Sequence, residues 1–478
     1  MPSFTRCVVL LLSLAAAARP SLAQGGGSTL ADYEGTYAYH GMAGIALVAR
    51  DSTLFAVLDY ARYPLRRVGL DLFVNAGGDT IPFRRGTDGI ISGFVERGVY
   101  FARRAGTVDP DVVSAVRATA RPPGKDGSLT PYAYATPTEL RDGIAVGDVG
   151  RAGIDTANIV RLVTRVVDGT YPDVHAVLVY RAGRLVVEEY FYEYDRERPH
   201  QMRSATKSVV SALLGIAIDR RLIASDTALV LPLFPYAWYR NAGPRKDSLT
   251  LRDLVTMRSG LACDDWDKDS PGNESRVYES ANWVKFVLDL PIIEEPGTRG
   301  RYCSGNVAVA GRIVERATHS ALPAFAQANL FTPLGIQPRD VRWDYTLSSP
   351  NPTFAQLYLR PRDMLKLGML FQQQGRWAGR QVISREWIAR STAHWSTVGD
   401  QEYGYFWWHQ WIDVTTPAGT QRIEMVGASG NGGQKIYLIP SLDAVVVLTG
   451  GSYNTTSPAT AIMQKELLPA LIGAAGKK

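Results

Sequence analysis

The rhythm of apolar positions divides the chain in two. From residue 30 to about 105, short apolar runs recur: Ile45–Ala49, Leu54–Leu58, Asp71–Val74, Ile81–Arg84, Ile90–Val95 and Val99–Ala102. Turn residues punctuate them, as in Arg50-Asp51-Ser52-Thr53, Ala76-Gly77-Gly78-Asp79 and Thr87-Asp88-Gly89. Many short strands with regular turns predict a small β-barrel or curled sheet. Residues 106–135 include Arg121-Pro122-Pro123-Gly124-Lys125-Asp126-Gly127-Ser128, a linker by composition. A second domain, about 150–475, opens with a helix expected at 155–168 and a hairpin of Ala176–Tyr180 and Leu185–Tyr192. It closes with a second hairpin, Gln434–Ile439 and Ala444–Thr449, and a helix-like tail at about 457–472. Helix and loop fill the interval. Strands at both ends with helices between them predict an α+β domain: an antiparallel sheet with its terminal helices on one face and a helical lobe beside it. The cleft between sheet and lobe is the expected place for a site.

The most telling single stretch is Met202-Arg203-Ser204-Ala205-Thr206-Lys207-Ser208. On a helix, Ser204 and Lys207 share a face, so the amine reaches the hydroxyl. The following residues to Ile218 are apolar almost all round, which predicts a helix buried within the domain. A serine at its head has backbone N–H groups and the positive dipole end beside it, suited to a nucleophile whose product carries an oxyanion. A desolvated lysine there would shed charge and could take a proton. The motif alone is common by chance; its place on a buried helix gives it weight.

Composition changes the picture mainly at the N-terminus. Arg6, the apolar run Val8–Ala18 and the small-residue pattern Ser21-Leu22-Ala23 read as a secretory signal peptide over residues 1–23, too short for a membrane anchor. Cys7 stands at the front of that run, away from the cleavage point, which argues against a lipid-anchored cysteine. A periplasmic or secreted protein is expected. In its 478 residues, basic groups are spread rather than gathered, so the net charge of +6 does not suggest nucleic-acid binding. No internal run is long and apolar enough to insert stably in a membrane. Cleavage leaves two cysteines, Cys263 and Cys303, a candidate disulfide in an oxidising compartment; sequence does not say whether they are near each other.

Two further stretches carry chemistry: Pro296-Gly297-Thr298-Arg299-Gly300-Arg301-Tyr302-Cys303-Ser304-Gly305-Asn306, and Gly427-Ala428-Ser429-Gly430-Asn431-Gly432-Gly433-Gln434. With Ser204-x-x-Lys207, and with the phrases Leu251-x-x-Leu254-x-x-Met257-x-Ser259-Gly260-Leu261, Leu330-Phe331-x-Pro333-Leu334-Gly335 and Tyr403-Gly404-Tyr405-x-Trp407-Trp408, residues 150–475 resemble the serine hydrolases related to class C β-lactamases and penicillin-binding proteins. That group includes family VIII esterases, D-aminopeptidases and nylon-oligomer hydrolases. The resemblance implies a β-lactamase-like fold, no cofactor, and an acyl-enzyme on Ser204. It assigns Lys207 as the amine partner and Tyr302 as the tyrosine of Y-x-N. Either Tyr302 or Lys207 could accept the serine proton; Tyr302 is favoured, because a neighbouring cation stabilises phenolate. The N–H groups of Ser204 and Asn431 are the implied oxyanion hole. Ser304, Ser429, Gly430, Gly432 and Tyr405 are candidates to line the substrate cleft.

Two departures bear on substrate. The third residue of Y-x-N is Ser304, which reaches less far than an amide. Where the family usually carries lysine or histidine before x-Gly, this chain has Ala428, which cannot hold a substrate carboxylate. True β-lactam hydrolysis is therefore disfavoured, and the Gly-Asn-Gly-Gly-Gln form looks closer to the nylon-oligomer branch. The acidic cluster Asp264, Asp265, Asp267 and Asp269 reads as a solvated loop rather than a cation site. The six histidines show no metal-ligand spacing, and no G-x-S-x-G elbow occurs. Tyr405, Trp407, Trp408 and Trp411 either wall the cleft or, more simply, form a buried aromatic cluster. The expectation is an exported serine hydrolase of small esters, amides or short peptides. Its rival is a catalytically inactive protein of the same fold that binds peptides or peptidoglycan fragments.

Overall fold

The computed structural model describes residues 29–475 except 39–43, 59, 97, 117, 122–130, 344–356 and 417–418. The leader expected at 1–23, and Pro122–Ser128 of the expected linker, lie outside the described residues.

Eight antiparallel strands close the N-terminal barrel: β1 (Gly35–Ala38), β2 (Ile45–Arg50), β3 (Thr53–Leu58), β4 (Ala61–Gly69), β5 (Leu72–Val74), β6 (Thr80–Arg85), β7 (Ile91–Glu96) and β8 (Val99–Arg103). β1 meets β8 with Tyr37 opposite Arg103. Tyr33, Tyr37, Phe73, Phe83 and Phe94 fill the interior with largely edge-on aromatic contacts. β1 and β4 are the strands that a search for apolar runs misses. In β4 the buried Ala61, Tyr63 and Leu65 alternate with Arg62, Pro64 and Arg66, so the strand shows its period only once one face is known to be inside. The segment after the barrel is not bare linker. It contains a short helix, Pro110–Ala115, capped by the Asp109 carboxylate, and Val116 packs on Ala46, Val48 and Val57 of the barrel.

The larger region is built on an eight-stranded antiparallel sheet: β9 (Val174–Arg181), β10 (Arg184–Tyr190), β11 (Ser396–Val398), β12 (Gln401–Tyr403), β13 (Trp408–Thr416), β14 (Gly419–Gly430), β15 (Gln434–Ile439) and β16 (Ala444–Gly450). Their order across the sheet is β10-β9-β16-β15-β14-β13-β12-β11. Every residue of β9 is buried, because both faces are covered. Val177 and Val179 face helix α1 (Thr156–Val167) and the C-terminal helices, where Ile159, Leu162, Val163 and Val166 form the matching stripe. Ala176 and Leu178 face the helical lobe, in which α2 (Thr206–Asp219) packs on α3 (Ser304–Thr318). Helix α2 is buried from Thr206 to Ala217, as its all-round apolar sequence requires. Among the described residues no helix is long and apolar enough to cross a membrane.

Candidate active site

Ser204 lies in a tight turn, Arg203–Ala205, that runs directly into α2. Arg203 takes a left-handed backbone, φ +49°, which bends the chain so that Ser204 heads the helix. Lys207 follows within the first turn and is 2% exposed. Its Nζ donates to Ser204 Oγ at 3.0 Å. The helix start is pinned from below by Ser208 Oγ, which donates to the Phe406 carbonyl at 2.6 Å. The end of β14 closes over the same turn: a Cβ on Gly430 would lie 2.2 Å from the Met202 carbonyl and 3.0 Å from Arg203 Cβ. Only glycine lets the strand approach this closely.

Tyr302 sits at the end of a loop, just before α3. Lys207 Nζ is 4.9 Å from its ring centroid, a cation–ring contact. The ring stacks on Trp266 and on Trp408, each with centroids 5.5 Å away. The loop itself is fastened on both sides of the tyrosine. Cys263 is disulfide-bonded to Cys303. Two residues on from Cys263, the Asp265 N–H donates to the Tyr302 carbonyl at 2.8 Å. The Asp265 carboxylate in turn accepts from Ser304 N at 2.7 Å. So the third residue of Y-x-N is tied to Asp265 through its backbone N–H.

The charges around Lys207 decide its state. Burial pulls its pKa down, as expected for a desolvated amine, but Tyr302, Glu274 and Asp265 together outweigh that and hold it above the ordinary lysine value. Lys207 therefore stays a cation. Burial, reinforced by Glu274, pushes Asp265 up to about 7, against the opposing pull of Lys207 and Ser304. Glu274 accepts a hydrogen bond from Tyr278, whose phenol is pushed well up, first by burial and then by that carboxylate.

Of the remaining candidates, Asn431 is exposed at the turn after β14, and Gly432 takes φ +94° with Tyr453 beside it. Ala428, at the position where the resemblance implies a cation, is buried on the lobe side. Ser429 alternates to the opposite face, across from Lys435, so its side chain points away from α2. Tyr405 does not line a cleft: it is fully buried against Trp387 and Trp395, with its hydroxyl donating to Asp226 at 2.6 Å. Trp407 is likewise core, whereas Trp408 reaches the site and Trp411 is largely exposed. The acidic loop is not uniform. Asp267 and Asp269 are exposed, Asp264 faces Arg301, and Asp265 turns inward. Asp265, Glu274 and Trp266 are the residues that sequence reasoning missed. The paired cysteines were the available signal, because bonding 263 to 303 carries residue 265 to residues 302–304.

Comparison with known proteins follows the same outline. The 6-aminohexanoate-dimer hydrolase of Paenarthrobacter ureafaciens is 24% identical over 302 residues, 57% of this chain and 71% of that protein. Among solved structures, the simvastatin synthase LovD of Aspergillus terreus superposes with a TM-score of 0.50 at 15% identity, covering 67% of this chain and 99% of LovD. EstCE1, a hydrolase with promiscuous acyltransferase activity, gives 0.50 at 13% identity, covering 67% of this chain and 98% of its own. These two share the fold. The beta-lactamase family model matches residues 167–466, from the end of α1 to the C-terminal helices, and so spans Ser204, Lys207 and Tyr302. The chain belongs to the beta-lactamase family.

Proposed function

We propose that the protein is an exported serine hydrolase that cleaves an ester or small amide through an acyl-enzyme on Ser204. The observation that carries this reading is the placement of Lys207, hydrogen-bonded to Ser204 Oγ on one side and 4.9 Å from the Tyr302 ring centroid on the other. Ser204 Oγ attacks the carbonyl carbon, and its proton passes to Tyr302 Oη. The carbonyl oxygen becomes an oxyanion held by the N–H groups of Ser204 and Asn431. Tyr302 then protonates the leaving alkoxide or amine as its bond to the acyl carbon breaks. A water gives its proton to Tyr302, attacks the acyl carbon and releases the acid, and Ser204 recovers its proton. Lys207 remains a cation throughout and steadies the negative charge on the phenol.

Ala428 supports esters and small amides over β-lactams, since nothing at that position binds a carboxylate. A relative that hydrolyses a 6-aminohexanoate dimer makes amides a reasonable part of the range. Export is supported by the leader pattern and by a cystine that suits an oxidising compartment. A fluorophosphonate probe, followed by p-nitrophenyl esters and nitrocefin in one assay, tests the reading. Labelling should map to Ser204, disappear in Ser204→Ala, and accompany faster ester than nitrocefin turnover. Tight ligand binding without labelling would instead establish an inactive binding protein.

A further inference from the structure

The barrel meets the candidate site at a short strap, Ser452–Thr455, which follows β16. Tyr453 in this strap belongs to the core of the barrel: it is 3% exposed, joins the barrel's buried apolar cluster, and meets Tyr63 edge-on at 6.5 Å. The Arg203 guanidinium lies 4.7 Å from the Tyr453 ring centroid. Arg203 is the left-handed residue immediately before the nucleophile. The next residue of the strap, Asn454, is also left-handed, at φ +58°. It makes a reciprocal pair with Asn431: its N–H donates to Asn431 Oδ1 at 3.0 Å, and its Oδ1 accepts from Asn431 Nδ2 at 2.8 Å. Ser452 N adds a bond to the Gly432 carbonyl at 3.1 Å.

The barrel also touches the strap from its own side. A Cβ on Gly77 would lie 2.4 Å from the Asn454 carbonyl oxygen, so the loop between β5 and β6 rests directly on the strap. That loop is stiff. Asn75 N donates to the Asp79 carbonyl, and Asn75 Nδ2 donates to the buried Glu96 carboxylate at 3.0 Å. Contact therefore runs unbroken from the barrel loop through Asn454 to Asn431, and from the barrel core through Tyr453 to Arg203. The first end point carries one of the two N–H groups that would hold the oxyanion, and the second immediately precedes the other. Both lie in turns rather than in a ladder, so their aim depends on what packs behind them. An oxyanion hole works only with its donors within about 3 Å of where the charge develops, and small displacements are costly.

We infer that the N-terminal barrel is a positioning element for the oxyanion hole, acting through Tyr453 and Asn454, with Gly77 as its point of contact. This rests on the reading of Ser204 and Asn431 as oxyanion donors. The barrel holds the hydrolytic domain's own donors in register and supplies no reacting group.

The test uses the full-length protein and an activated ester. Gly77→Ala pushes on the strap from the barrel, and Asn454→Gly removes the side-chain bond without straining a left-handed backbone. Each should lower kcat about tenfold with KM within about twofold. Asn454→Asp keeps both the N–H and an acceptor for Asn431, and should restore most of the rate. Gly69→Ala, at the end of β4 where an added methyl would meet only Leu72 at 3.6 Å, should leave kcat unchanged. Thermal melts check folding, and if Gly77→Ala does not fold, the Asn454 pair decides. Wild-type kcat in both Gly77→Ala and Asn454→Gly, with Ser204 still labelled by fluorophosphonate, would overturn the brace and leave the hydrolase intact. A rise in KM at unchanged kcat would overturn it too, making the strap a substrate contact. Absence of labelling and turnover in the unmodified protein would remove the underlying reading instead.

Discussion

Lys207 and Lys246 are both buried, at 2% and 1% exposure, yet their surroundings give them opposite properties. Lys246 donates its three protons to backbone carbonyls, of Arg240 at 2.7 Å, Leu288 at 2.8 Å and Leu290 at 2.7 Å. Burial lowers its pKa to about 8, with Asp289 resisting and Lys285 assisting. Burial lowers the pKa of Lys207 too, but it faces a phenol and two carboxylates, and ends above the ordinary value. Burial alone does not make a lysine a base. What decides is whether formal negative charge is buried with it. At the candidate site Tyr302, Glu274 and Asp265 together hold the proton on Lys207, which is why the proposed mechanism gives the lysine the part of a fixed cation and the moving proton to the tyrosine.

Four outcomes would sharpen or break this contrast. The largest is Lys207→Met, which removes the cation between serine and phenol while keeping the volume filled. Turnover should fall on the order of 10³-fold, about 4 kcal/mol, with the circular dichroism spectrum intact; a loss below tenfold would mean the charge is not needed. Next, Lys246→Met should leave turnover per folded molecule unchanged but cost ~2–3 kcal/mol in urea titration, because three carbonyls lose their donor. Third, Asp265→Asn keeps an acceptor for Ser304 but discards the charge. The Lys207 pKa should then fall, so the alkaline limb of the rate profile moves to lower pH, and neutral turnover should drop about tenfold, ~1.4 kcal/mol. An unmoved limb would show that Asp265 does not set the charge on Lys207.

The smallest effect is on stability against pH. Between about 8 and the ordinary lysine value of 10.5, the unfolded chain still holds the proton that folded Lys246 has released. The unfolded state binds more protons there, so stability should rise with pH across that window. In Lys246→Met that contribution to the slope should vanish, measured as urea midpoints from pH 7 to pH 11.

What the sequence disclosed follows from distance along the chain. Ser204 and Lys207 stand on one turn of helix, so their contact could be read from spacing alone. The barrel runs and the two sheet hairpins were visible because each is a local pattern of alternation or turn chemistry. β4 was not, since Arg62, Pro64, Arg66 and Arg67 mask its inward face. Asp265 looked like one of four loop acids, because only the fold and the cystine bring it to Tyr302 and Ser304. Tyr405 shows the reverse error. Its phrase belongs with the site in sequence, but the direction of its side chain is set by Asp226, far away in the chain. The face taken by Ser429 likewise depends on the register of β14 with β15, which no short motif states.

The left-handed Arg203 has a practical corollary for anyone engineering this protein. Glycine at that position would relieve on the order of 1 kcal/mol of backbone strain and would surface early in any screen for heat resistance. It would also strip the guanidinium from Tyr453 and slacken the bend that presents Ser204. Hardiness and turnover thus pull against each other at a single residue, and a thermostable variant carrying that change should prove a poorer catalyst than its parent.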